Sequence, residues 1–199
     1  MRESKLFSSL LLLAVSAIWG GAFVSMKGTL ERLDVNSFLT WRFLIATLLL
    51  IFIRPKVLKK FNRELILKGA LVGFFLGGGY IFQSFGLTLT TVSNTGFITG
   101  LYVVITPLIA ALVLKRNISG FEWFAVVLAT VGLGLLSLNG FSFGLGEMLV
   151  LVSALFFALH IIGLGQWASS LDTYALTVLQ LGTCALMAFI ASTKSGFNA

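Results

Sequence analysis

The sequence predicts an all-α fold, a polytopic transmembrane bundle of about seven helical spans. Three observations predict it. Apolar residues make up 58% of the chain and charged residues only 11%, whereas soluble domains carry about 25% charged residues. The apolar residues gather into runs near the roughly 20 needed to cross a bilayer's hydrocarbon core. Short polar or basic turns separate the runs. The formal charge of +7 therefore belongs to loops beside lipid rather than to a nucleic-acid footprint. One cysteine, Cys184, excludes an intrachain disulfide, and one histidine, His160, leaves no cluster with metal-ligand spacing. There is no phosphate-binding GxxxxGK[ST] loop. No cofactor or metal is expected. The spans carry only isolated ionisable groups, so an enzyme is not expected either.

Span one is the run Leu6–Met26, behind the basic head MRESK. It is longer than the apolar region of a secretory signal and ends at Lys27, so it reads as a span. Ser9, Ser16, Trp19, Gly20, Phe23 and Lys27 share one helical face, which makes Trp19 a cavity candidate. Span two, Asn36–Ile53, carries Arg42 about two turns in. A charge at that depth costs several kcal/mol unless it pairs, snorkels or meets water. Pro55 marks the end of that helix. The stretch RPKVLKKFNRELILK that follows is the densest basic patch and reads as a cytoplasmic anchor.

Span three, Ile66–Leu87, spaces Gly69, Gly73 and Gly77 four apart, a groove for a neighbouring helix. Gly77-Gly78-Gly79 reads as a flexible or broken turn. Tyr80, Gln83 and Ser84 lie near one face, with Gln83 requiring a polar partner in lipid. Thr88–Val92 then forms a tight reversal. Span four, Ser93–Leu114, holds a polar stripe. At roughly 100° per residue, Asn94, Thr95, Thr99, Tyr102 and Thr106 fall in one arc, with Phe97, Leu101, Val104 and Leu108 opposite. Lipid cannot satisfy such a stripe, so it reads as the wall of a polar cavity. The alternative is packing, with each threonine hydroxyl bonded back to its own helix. Pro107 removes a donor and loosens the helix beside the stripe.

Span five, Phe121–Leu138, has little polar character beyond Thr130 and Ser137, and Gly132 and Gly134 suit close packing. Span six, Glu147–Gly165, contains His160, a candidate substrate contact. Span seven runs Thr173–Ala191. With the N-terminus inside, ten lysines and arginines fall in cytoplasmic segments against Lys27, Arg32 and Lys194 outside. That asymmetry predicts a cytoplasmic N-terminus in the cell membrane.

An internal repeat is present. VSAIWGGA from Val15 parallels VSALFFAL from Val152, and DVNSFLTWRFL from Asp34 parallels DTYALTVLQLG from Asp172. Arg42 falls opposite Gln180. Residues 1–140 form a first five-helix repeat, and 144–199 supply the first two helices of a second. An odd number of spans per copy inverts the second copy, as in secondary transporters.

The sequence is similar to the EamA-type drug/metabolite transporters. The resemblance rests on AIWGGAFVSMK, WRFLIA, QSFGLTLTTVSNTGFITGLYVVITPL, VGLGLLSL and GEMLVLVSALFFALHII, which together cover nearly the whole chain. It implies ten helices in two inverted halves that move small metabolites or drugs across the membrane, often outward. The family pattern commonly has an acidic residue just after span four, where this sequence has Lys115-Arg116. The expected cavity lies among spans one, three, four and six, lined by Trp19, Tyr80, Gln83, Asn94, Thr95, Thr99, Tyr102, Thr106 and His160. Arg42 is the charge within the membrane. Seven spans leave the second repeat incomplete, so a homodimer or a missing C-terminal half is expected to close the bundle. The alternative function is a non-transporting seven-span receptor or scaffold.

Overall fold

In the computed structural model, residues 2–115, 117, 119–138 and 144–195 are described. They form eight α-helices and no strand: α1 (Arg2–Leu30), α2 (Val35–Ile53), α3 (Arg63–Leu89), α4 (Val92–Gly100), α5 (Tyr102–Leu114), α6 (Gly120–Leu138), α7 (Leu145–Trp167) and α8 (Thr173–Ser195). Six segments are long and apolar enough to cross a membrane, with α4 and α5 counted together, and Gly120–Ala129 is a shorter apolar helix. The chain is a multi-pass helical membrane protein. The repeat boundary at 139–143, the tail 196–199 and the side chains of Arg2, Lys5, Ser9, Arg116, Thr130, Ser137 and Lys194 lie outside the described residues.

Polar residues at the loop edges decide where the helices begin. Asp34 accepts a hydrogen bond from the Ser37 N–H (3.0 Å), Asn62 from Leu65 (2.8 Å), Thr91 from Asn94 (3.0 Å) and Asp172 from Ala175 (3.0 Å). At α6, Ser119 and Glu122 bond each other's backbone N–H groups reciprocally. Each such cap satisfies an orphan N–H and is worth about 1 kcal/mol. At α8 the Ala175 N–H, aided by the nearby cations Arg54 and Lys60, holds the Asp172 carboxyl below its ordinary value.

Helix α3 is the axis of the bundle, packed between α7 and α8, and α2 packs along α8. The glycine spacing read from span three makes this possible. A Cβ on Gly69 would meet the Leu179 side chain at 2.9 Å, and one on Gly73 would meet Thr183 at 2.7 Å. Gly77 faces Cys184 and Met187 on the same helix. Without a hydrophobic drive between helices in lipid, such close backbone contact is what associates them. Two buried clusters flank the contact. One gathers Leu39, Phe43, Leu87, Cys184 and Ala188, and the other gathers Val57, Leu65, Val72 and Leu176.

Gly77-Gly78-Gly79 does not break the helix, contrary to the sequence expectation, because α3 runs unbroken through it. The glycines are packing positions: a Cβ on Gly78 would lie 2.4 Å from the Phe156 ring, and one on Gly79 2.6 Å from Phe157. The interruption falls in span four instead. There the Leu101 N–H bonds the Ile98 carbonyl (3.1 Å) three residues back, separating α4 from α5 at Gly100-Leu101 rather than at Pro107.

The two ends of the bundle are tied differently. At one end the Lys27 ammonium donates to the carbonyls of Leu87 (2.6 Å) and Thr90 (2.9 Å), closing the last turn of α3. At the opposite end the Tyr174 hydroxyl donates to the Leu50 carbonyl (2.6 Å), and Arg54 lies over the Tyr174 ring (5.4 Å). Lys68 lies over Trp167 (5.7 Å) nearby. Amphipathic aromatics beside basic residues suit a membrane–water boundary. These ties bring the end of α1 beside the end of α3, where Thr90 meets Glu147 at the start of α7, and the end of α2 beside the start of α8. Helices α1 and α7, and likewise α2 and α8, therefore run in opposite senses.

Candidate functional site

A cavity of about 710 Å³ opens among α1, α2, α3, the α4–α5 break and α7. Its size falls within the range of small-molecule sites, roughly 300–1,000 Å³. Helix α1 contributes Trp19, Phe23 and Met26, α2 contributes Phe38 and Arg42, and α3 contributes Leu76, Tyr80 and Gln83. Thr99 and Tyr102 stand either side of the break in span four, and α7 adds Phe157, His160, Ile161 and Leu164.

Aromatic contacts fix this wall. The Tyr80 ring sits 5.0 Å from Phe43 and 5.3 Å from Phe157, and Phe157 continues to Tyr102 at 6.4 Å. Edge and tilted ring pairs of this kind add about 0.5–1.5 kcal/mol each beyond burial. Two polar side chains in the wall are held by bonds across helices. Gln83 donates to the Thr99 hydroxyl (3.0 Å), which joins α3 to α4. His160 Nδ1 lies 2.9 Å from the Val72 carbonyl. Because a carbonyl only accepts, that contact puts a proton on Nδ1 and leaves Nε2 as the ring nitrogen not engaged by it.

Arg42 is held differently. Its guanidinium lies 5.1 Å from the Tyr80 centroid and 5.6 Å from that of Phe43. Its hydrogen-bond partner among the described residues is the Met26 sulfur at 3.8 Å. Among the same residues the ion pair shown is Glu64–Lys68, which does not line the cavity. No group of acidic, histidine and cysteine side chains that could hold a metal occurs among the described residues.

The model of the EamA-like transporter family matches residues 6–138. The chain belongs to the EamA-like transporter family. It is also 39% identical over 158 residues to an uncharacterized transporter of Archaeoglobus fulgidus, covering 79% of this chain and 48% of that relative. A second uncharacterized transporter of the same organism is 27% identical over 197 residues, 94% of this chain and 68% of that relative. The chain thus spans about half the length of the first relative. No solved structure matches it.

In this EamA-like chain the candidate residues divide into two groups. Trp19, Tyr80, Gln83, Thr99, Tyr102 and His160 line one cavity, together with Arg42 on α2, a helix that was not expected in the wall. Asn94, Thr95 and Thr106 stand outside it. Thr95 is fully buried and bonds the Thr91 carbonyl (2.9 Å), and Thr106 bonds the Tyr102 carbonyl (2.6 Å). Their hydroxyls are spent on their own helices, the alternative weighed for the stripe. Asn94 turns instead toward α7, donating to Glu147 Oε1 (3.2 Å) and to the Thr90 hydroxyl (3.2 Å).

Glu147 is the residue that the sequence reading passed over. Its carboxylate is buried, with 7% of the residue exposed, and accepts from the Thr90 hydroxyl, the Asn94 amide and the Gly144 N–H (3.0 Å). The available signal was a glutamate at the third position of a helix that lacks a capping side chain, where it reaches back to an orphan N–H.

Proposed function

We propose that this protein carries small metabolites or drugs across the cell membrane by secondary transport, as export or exchange, without enzymatic chemistry. The cavity is the substrate site, and the N-terminus is cytoplasmic. The observation that carries this reading is the cavity itself. In a family of transporters, a ligand-sized space lies among the helices, with aromatic walls and a few convergent polar groups. The break at Leu101 supports it, since interrupted helices beside a cavity are how transporters place backbone groups near a substrate.

We further infer that α1–α6 form one repeat and that α7 and α8 correspond to α1 and α2 in a second, inverted copy. The opposite senses of the paired helices support this, as do the matched caps Asp34 and Asp172 at the starts of α2 and α8.

Cysteine labelling tests the cavity. With buried Cys184 replaced by alanine, single cysteines at Trp19 and Tyr102 should react with a charged, water-soluble methanethiosulfonate in intact membranes. A cysteine at Leu112, which is 83% exposed and away from the cavity, should stay unreacted because it faces lipid. Equal protection at all three positions would remove the cavity and the transport route through it.

A further inference from the structure

We propose that the cavity selects small organic monoanions, carboxylates carried on an aromatic or aliphatic body. The inference deepens the transport reading above and rests on it. Among the described lining residues Arg42 is the one permanently charged side chain, and no carboxylate lines the wall with it. Its guanidinium has five N–H donors in a rigid fork. The neighbours that hold it are a thioether sulfur at 3.8 Å and the faces of two aromatic rings. A thioether is a weak acceptor, and a ring face attracts the cation without accepting a strong hydrogen bond. The fork is therefore oriented and left largely undischarged.

Two other polar side chains of the wall contrast with it, and the hydroxyls of Ser25, Tyr80 and Tyr102 line the cavity as uncharged groups. Gln83 is bonded to Thr99, and His160 to Val72. Those bonds tie helices together within the protein, so the charged donor left facing the cavity is Arg42, and its complement is an oxygen anion. A carboxylate meets it with two parallel N–H···O bonds. Arg42 is itself exposed, so its fork is open to a ligand, and a cation that meets lipid costs several kcal/mol unless paired or hydrated, a cost that a bound anion relieves.

The rest of the ligand follows from the remaining wall. Trp19, Phe38, Leu76 and Phe157 offer an apolar surface suited to a ring or short alkyl chain. A dianion would bring a second charge for which the described wall has no cation. A ligand cation would meet Arg42 without a carboxylate to offset it.

Four probes sharing one ring test this. Phenylacetate, phenylacetamide, 2-phenylethylammonium and phenyl phosphate would be titrated into the purified full chain, read by tryptophan fluorescence with Trp19→Phe as the check that the signal comes from the cavity. Phenylacetate should bind at least about tenfold more tightly than the amide, with the ammonium weakest. Arg42→Gln should bring acid and amide within about twofold, while Arg42→Lys keeps a preference for the acid. Equal binding of acid and amide, tighter binding of the ammonium or the phosphate, or a preference that survives Arg42→Gln overturns the proposal and leaves the cavity as a binding site. Binding of none of the four up to about 10 mM, where ligands on the order of millimolar affinity would register, overturns the proposal and the substrate-site reading together. Should Arg42→Gln lose the amide as well, Arg42→Lys decides, and loss of the acid preference there overturns the proposal.

Discussion

Glu147 shows how one side chain fixes the meeting of three elements. Its two oxygens collect donors from the loop after α3, from α4 and from the start of its own helix. Burying a carboxylate is unfavourable unless each lone pair is met. Replacing it with alanine removes the acceptor from all three donors at once. With about 1–3 kcal/mol for each buried group left unsatisfied, Glu147→Ala should lower the thermal midpoint in detergent markedly, and Glu147→Gln, which keeps one acceptor, should lower it less. Identical midpoints for the two variants would show that the donors find water instead. A sequence reading has little hold on this residue, since a glutamate at the edge of an apolar run is indistinguishable from a loop residue until the partner helix is placed. The position of Arg42 along α2 was legible, but its direction was not. Whether a charge eight residues into α2 snorkels or faces a cavity depends on which helices surround it, and apolar periodicity does not encode that.

At the scale of the element, the α3 glycines were legible and their consequence is sharp. Four-residue spacing names a helix face without reference to any partner, so Gly69, Gly73 and Gly77 announced a contact before α8 was known to fill it. The triple glycine misled for the same reason. In water three glycines weaken a helix by about 1 kcal/mol each relative to alanine. Inside a bundle they let the rings of Phe156 and Phe157 lie against the backbone. Gly73→Val should therefore cost about 1–3 kcal/mol by overpacking, read as a lower denaturation midpoint. Gly20→Ala, on α1 where a Cβ would meet nothing within 4 Å, should be neutral or slightly stabilising. A destabilised Gly20→Ala beside an unaffected Gly73→Val would place the tight contact on the wrong helix. Span four erred differently. A helical wheel drawn from Asn94 to Thr106 places residues on one arc but does not say which neighbour each meets: Asn94 meets Glu147, Thr95 and Thr106 bond their own helices, and Thr99 and Tyr102 line the cavity.

For the whole molecule, class and membrane habit follow from composition, while the cavity follows from packing that composition cannot specify. Orientation is the global property with a direct assay. Arg54, Lys56, Lys59, Lys60, Arg63 and Lys68 crowd the end where α2 meets α3, and Lys27 with Arg32 marks the other. A fluorescent protein that matures only in the cytoplasm, fused to the N-terminus, should be bright. A reporter active only outside should work when fused after Arg32. Changing all six basic residues of the α2–α3 junction to glutamine should scramble both signals, and full retention of orientation would assign it to some other determinant.

The placement of Arg42 also has an electrical side. On the proposed reading of Arg42, the empty cavity holds a positive charge within the membrane; with an anion bound there, the same region is close to neutral. A full elementary charge moved through the membrane potential is worth about 2.3 kcal/mol per 100 mV. Voltage would then act on the unloaded form and be nearly indifferent to the loaded one, so the resting potential would set the pace of the return stroke rather than of the delivery.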